Sequence, residues 1–189
     1  MKLFHNRNSP IASPEKFRAL YEQNRLPVFR YVFGLLNGSQ DEAEDLTAET
    51  FLRAWKARYR FEGDMDSAIG WLIRIAKRLV IDNYRRSLQA TRNLPADQPA
   101  PTPEQVTVED EQVRFLFTLL ADLPNEQREI IVLRYLIGWR VNDIAQHIGA
   151  TENKVSVTIH RTLSKLREKW AETDAETFSS VFFQEEKIS

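Results

Sequence analysis

The chain has 189 residues, 42% hydrophobic and 28% charged, with a net charge of −1 and no cysteine. Disulfide frameworks, thiolate metal sites and thiol nucleophiles are thereby excluded. No apolar run approaches the ~20 residues that cross a bilayer, and the opening MKLFHNRNSP holds no apolar stretch fit for a secretory signal. A cytoplasmic protein with no membrane insertion is expected. The small net charge conceals segregation: residues 1–86 and 121–170 are net basic, whereas 87–120 and 171–189 are net acidic. Such a pattern is compatible with a polyanionic partner, although solvated helix faces explain each block taken singly.

Apolar residues recur at helical spacing and β-branched alternation is missing, so an all-α chain is expected. The sequence QATRNLPADQPAPTPEQ holds four prolines and reads as a semi-rigid linker. The expected organisation is a first helical domain at 1–88, a linker at 89–105, a second domain at 106–170 and an acidic tail at 171–189.

Ser13-Pro14 opens the first helix as cap and first-turn proline, with Phe17, Leu20 and Tyr21 as its apolar stripe. Pro27 is expected to break or kink it, after which Val28, Tyr31, Val32, Leu35 and Leu36 resume the stripe until Asn37-Gly38. Ser39 with Glu42 has the spacing of a capping box for a second helix, where Ala48, Phe51, Leu52, Trp55 and Tyr59 share a face. A third helix is expected from about Ser67 to about Arg86, burying Ile69, Leu72, Ala76, Leu79 and Val80. In the second half one helix covers about 106–121. Pro124 starts another, which buries Ile130, Ile131, Leu133, Leu136 and Ile137.

The stretch from Gly138 to Leu166 predicts two short helices hinged at Gly149. Val141, Ile144, Ala145 and Ile148 form the inner face of the first, Gly149 suits the left-handed stop, and Thr151 caps the second. The second helix buries Val155, Ile159, Leu163, Leu166 and Trp170. This is a helix-turn-helix pattern, which a plain helical hairpin also produces. Its outer face carries Glu152, Asn153, Lys154, Ser156, Val157, His160 and Arg161. Asn and Lys suit base edges and Val157 a thymine methyl, while Arg161, Lys165 and Arg167 suit phosphates. One cation in the leading turns is too few to hold DNA tightly.

Two blocks together resemble a known family. DEAEDLTAETFLRAWKA (41–57) followed by RFEGDMDSAIGWLIRIAKRLVIDNYRR (60–86) looks like region 2 of a bacterial sigma factor, and 123–168 resembles region 4. With only these regions the chain is similar to an extracytoplasmic-function sigma factor. The resemblance implies a subunit that binds core RNA polymerase, on the clamp of the largest subunit and the flap of the second-largest, and directs it to promoter DNA. An anti-sigma factor is an expected partner, no cofactor is implied, and the protein would be no enzyme.

On helix 41–57, Glu42, Asp45 and Glu49 recur at helical steps; a solvated face with a Glu49–Arg53 pair accounts for them alone, and the resemblance implies docking on the clamp. On helix 67–86, Trp71, Arg74, Lys77, Arg78 and Arg85 interleave cations with an aromatic, a pattern suited to a separating strand; Trp71 as core with solvated arginines is the plainer reading. By resemblance the loop 61–66, with Phe61 and Asp64, caps a flipped base of the minus-ten element, and the outer face of the last helix reads the minus-thirty-five element.

Competing readings remain. Asp143 and His147, four apart on one helix, could form half a metal site, but no third ligand has suitable spacing. A stand-alone helix-turn-helix regulator explains 123–170 but leaves the other two helices without a shared purpose. The tail is expected to be regulatory, with Phe178, Val181 and Phe182 at helical spacing and Phe183 beside them; a disordered solubilising tail is the alternative.

Overall fold

The computed structural model describes residues 9–93 and 111–171, and side chains within 9–89 and 116–170. The tail residues Phe178 to Phe183 and most of the proline-rich stretch lie outside the described residues. Among those described there is no strand. The chain divides into two units, Met1–Val106 and Thr107–Ser189.

The first unit packs three helices against one another: α1 (Pro14–Leu35), α2 (Gln40–Ala57) and α3 (Ala68–Asn93). Ser13 caps α1, its Oγ accepting from the Lys16 N–H at 3.3 Å. Pro27 does not break α1, which runs continuously from Pro14 to Leu35. An interior proline costs roughly 3 kcal/mol, but Leu20, Val28, Tyr31 and Val32 are all fully buried, at roughly 1.5–3 kcal/mol for each large apolar side chain. Packing outweighs the lost hydrogen bond. Asn37 and Gly38, at φ 56° and 82°, turn the chain after α1. Ser39 occupies the cap position of α2 without a side-chain cap bond, so the expected capping box does not form. Glu42 instead accepts from Asn83 of α3 at 3.4 Å.

The buried face of α2 is rotated from the expected one. Ala43, Leu46, Thr50, Phe51 and Ala54 point inward, whereas Ala48 is exposed and Leu52 is 46% exposed. On α3 the core residues are Ala68, Leu72, Ile73, Ala76 and Leu79, with Ile69 and Val80 at the margin. α3 passes Arg86 and ends at Asn93, inside the stretch read as linker. Ser87 to Arg92 contain no breaker; Pro95 is the first, and it disfavours helix at the residue before it.

The second unit holds α4 (Glu111–Ala121), α5 (Asn125–Ile131), a π-helical turn (Val132–Leu136), α6 (Val141–Ile148) and α7 (Glu152–Ala171). The expected single helix after Pro124 is thus split into α5 and a wider turn. Six consecutive residues, Arg128 to Leu133, lie buried across the junction of α5 and the wider turn. Arg128 spans the start of this stretch and donates to Ala121 O at 2.5 Å and Leu123 O at 3.2 Å, tying the end of α4 to α5. Gly138 at φ 79° then releases the chain toward α6.

Candidate nucleic-acid and polymerase interfaces

The hinge of the second unit forms as the sequence predicts. Gly149 lies at φ 72°, ψ 39° and stops α6, and the Thr151 hydroxyl accepts from the Lys154 N–H at 3.2 Å. Ile144 and Ala145 face inward from α6, and Val155, Ile159, Leu166 and Trp170 from α7; Leu163 is only partly buried, and Thr162, unforeseen, is 1% exposed. That packing turns Glu152, Asn153, Lys154, Ser156, Val157, His160, Arg161 and Lys165 outward, and all are exposed.

A shallow cleft of about 360 Å³ runs along this face, lined by Val157, His160, Arg161 and Lys165 with Gln127 of α5 opposite. Gln127 is a member of this face that sequence reasoning missed, because nothing in the α5 pattern marks it as neighbour to α7. Lys154, the one cation of the leading turns, reaches Glu126 of α5 at 2.6 Å, both side chains more than half exposed. A solvated pair of this kind is worth about 0–1 kcal/mol and yields readily to a phosphate or base edge.

Asp143 and His147 do not converge. Asp143 accepts from the Arg140 N–H at 3.2 Å at the start of α6, whereas His147 Nε2 lies 3.3 Å from Glu129 Oε1 with side-chain exposures of 4% and 9%. The Trp139 ring meets His147 edge-on at 5.3 Å. No group of three or more His, Cys, Asp or Glu fit for a metal occurs among the described residues. His147 therefore fastens α6 to α5 and so sets the pose of the hinge. His147→Ala is expected to destabilise the second unit by about 1–3 kcal/mol, since a buried carboxylate loses a partner. Urea titration followed by circular dichroism of the helical signal measures this; an unchanged midpoint would contradict it.

In the first unit, Phe61 and Trp71 meet at 5.0 Å with ring planes tilted by 44°. Phe61 is 4% exposed, and its ring packs against that of Trp71, which is partly exposed. Gly63 leaves room for the Phe61 ring, because a Cβ there would stand 2.6 Å from Ser67 Oγ and 2.9 Å from that ring. Asp64 is solvent-facing and Ser67 N–H donates to its carboxylate at 2.7 Å. The Ser67 side chain, then its backbone, hold the Asp64 carboxyl below its ordinary value.

The outer side of α3 places Arg74, Arg78 and Arg85 in solvent, with Lys77 partly exposed. Interleaved with them, Ile81, Tyr84 and Leu88 are 41%, 59% and 44% exposed, apolar surface that cation spacing did not announce. On α2, Glu42 and Asp45 are exposed and Glu49 partly so. The Glu49–Arg53 pair does form, at 2.8 Å. Leu52 and Ala48 lie among these acids, giving an apolar centre with an acidic rim.

A three-helix unit with a basic, aromatic outer face is thus followed by a helix-turn-helix unit. The Sigma-70 region 2 family model matches residues 20–89, and the Sigma-70, region 4 model matches residues 116–166. The chain is 32% identical over 154 residues to the ECF RNA polymerase sigma factor SigL of Mycobacterium tuberculosis, covering 79% of this chain and 86% of that one. It is 27% identical over 162 residues to the ECF RNA polymerase sigma factor SigX of Bacillus subtilis, covering 81% and 82%. In fold it is similar to the sigma factor RpoE solved with the anti-sigma factor NepR from Bartonella quintana, with TM-score 0.64, 23% identity, and 85% and 99% covered. The chain belongs to the ECF RNA polymerase sigma factors. It is an alternative sigma factor, which binds core RNA polymerase and directs promoter recognition and transcription initiation.

Proposed function

We propose a division of labour among three surfaces. Glu42, Asp45 and Glu49, around Leu52, dock on the clamp of the largest polymerase subunit. Trp71, Arg74, Lys77, Arg78 and Arg85, with the loop at Asp64, take the separating strand of the minus-ten element. The outer face of α7 reads the minus-thirty-five element while its unit rests on the flap of the second-largest subunit. Residues 1–88 and 106–170 are the two working parts. The protein contributes no catalytic chemistry of its own, acts in the cytoplasm, and answers to an anti-sigma partner.

The observation that carries this reading is the pairing of a basic, aromatic α3 face and a weakly basic α7 face with one acidic, apolar-centred face in a single chain. The α7 face has too little charge to bind tightly alone. Polymerase holds both at once, so the second contact becomes intramolecular and the modest affinities multiply. A stand-alone regulator would have no use for the α2 face.

Within α7, Asn153, Lys154, Ser156 and Val157 sit in the first turns, where base edges are within reach, and Arg161 and Lys165 lie farther along. Changing Lys154 is expected to alter preference among minus-thirty-five sequences. Changing Lys165 should weaken all sites about equally and lower the salt slope by about one. Holoenzyme binding to a randomised element at several salt concentrations separates the two, and the opposite partition would mean that α7 enters the groove in another rotation.

A further inference from the structure

The matched region 2 begins at residue 20, yet the segment before α1 is built into the core. Ser9 is 3% exposed and Ile11 is fully buried, and the segment folds back in a turn from the Ala12 N–H to Ser9 O at 3.1 Å. Its anchor is Arg58, in the short 3-10 turn (Arg58–Arg60) that follows α2. The Arg58 guanidinium donates to Ala12 O at 3.2 Å, Trp55 O at 2.7 Å and the Tyr59 hydroxyl at 2.9 Å. It also lies 3.6 Å from the Trp55 ring centroid and 4.2 Å from that of Tyr59, with Phe17 edge-on behind Trp55 at 5.0 Å.

The same residue leads straight to the minus-ten surface. Arg58 O accepts the Ser9 hydroxyl at 2.8 Å and the Phe61 N–H at 3.4 Å. One carbonyl therefore joins the N-terminal segment to the residue whose ring packs against Trp71. A guanidinium held by three acceptors and two rings has little rotational freedom, so the turn launching the loop is fixed from both sides.

We propose that Ser9–Ala12 together with Arg58 is a positioning element for promoter opening: it holds Phe61, and through it Trp71, at the height and tilt needed to receive an unpaired base. This rests on the reading of Trp71 as the stacking group. The role is positioning, since Ser9 and Ile11 are buried and the Arg58 guanidinium is engaged by partners within the protein. Cooperative support of this kind matters because a site displaced by about 1 Å is poorly organised for its task.

The test uses full-length protein with core polymerase on one promoter in two forms, fully duplex and premelted across the minus-ten element. The variants are Arg58→Met, Arg58→Lys and Ser9→Ala, with Trp71→Ala as reference. Loss of the Arg58 hydrogen bonds should slow opening of the duplex form about tenfold, and loss of the Ser9 hydroxyl about threefold. Arg58→Lys, which retains the charge over the rings, should fall between Arg58→Met and wild type. Core affinity should stay within about twofold, and premelting should restore all three variants to within about twofold of wild type. Equal losses on both templates, or a parallel fall in core affinity, would reduce the segment to a general fold support and overturn the proposal. If Trp71→Ala impairs opening while Arg58→Met and Ser9→Ala open normally, the positioning inference alone fails. If Trp71→Ala itself opens normally, the stacking reading fails, and this inference with it.

Discussion

Asp45→Arg combined with Glu49→Arg is expected to abolish binding to core RNA polymerase while leaving the protein folded. Asp45 is exposed and Glu49 partly so, and both belong to the side of α2 turned away from Ala43, Leu46, Thr50 and Ala54. Stability should therefore change little. Exposed substitutions usually stay within about 0.5 kcal/mol, and setting a second guanidinium beside Arg53 in place of the Glu49–Arg53 pair adds a few tenths. Binding should respond far more strongly. Like charges brought together across an interface cost several kcal/mol, so two reversals raise Kd by at least about a hundredfold. Co-purification with core enzyme, beside a thermal melt, reads both quantities. A folded double variant recovered with core at the wild-type level would show that α2 docks elsewhere.

Trp71→Ala is expected to impair promoter opening by about 10- to 100-fold, because stacking one base on an aromatic ring is worth about 1–3 kcal/mol. The indole is partly exposed and packs against the Phe61 ring, which leaves part of it open to a base. Since Trp71 also covers Phe61, its removal disturbs packing as well; Trp71→Phe provides the control, retaining a ring and most of the opening rate. Permanganate reactivity of thymines in the minus-ten element follows the step directly, and core binding should be unaffected. Normal opening with Trp71→Ala would return the ring to the plainer role of packing.

The helix-turn-helix was legible because several local signals coincide there. Gly149 permits a left-handed stop, Thr151 caps the next helix, and the α7 stripe repeats over several turns. Single or ambiguous signals misled. On α2 adjacent Phe51 and Leu52 leave the rotation open, and the true inner face is completed by Ala43, Thr50 and Ala54, residues with little hydrophobic weight. Pro27 is a strong local marker of a break that tertiary packing outweighed, and Ser39 marked the start of α2 although its side chain makes no cap bond. The π-helical turn at Val132–Leu136 violates the period on which helical pattern-reading depends.

The candidate sites divide in the same way. The exposed positions of α7 followed from its buried stripe, and those of α3 from cation spacing. The burial of Phe61 left no sign in the sequence, since its ring is enclosed by contacts with Trp71 and the turn at Gly63. Arg58 and Ser9 carried no sequence signal at all, since their partnership spans 49 residues and owes nothing to periodicity.

The most direct measurement is run-off transcription from a genomic template library, with core RNA polymerase alone, the protein alone, and the two together. Discrete promoter-dependent transcripts are expected only from the combination, and duplex promoter DNA should shift in a gel only when core is present. Tight, sequence-specific binding to duplex DNA by the protein alone, with no promoter-dependent transcript on adding core, would contradict the assignment.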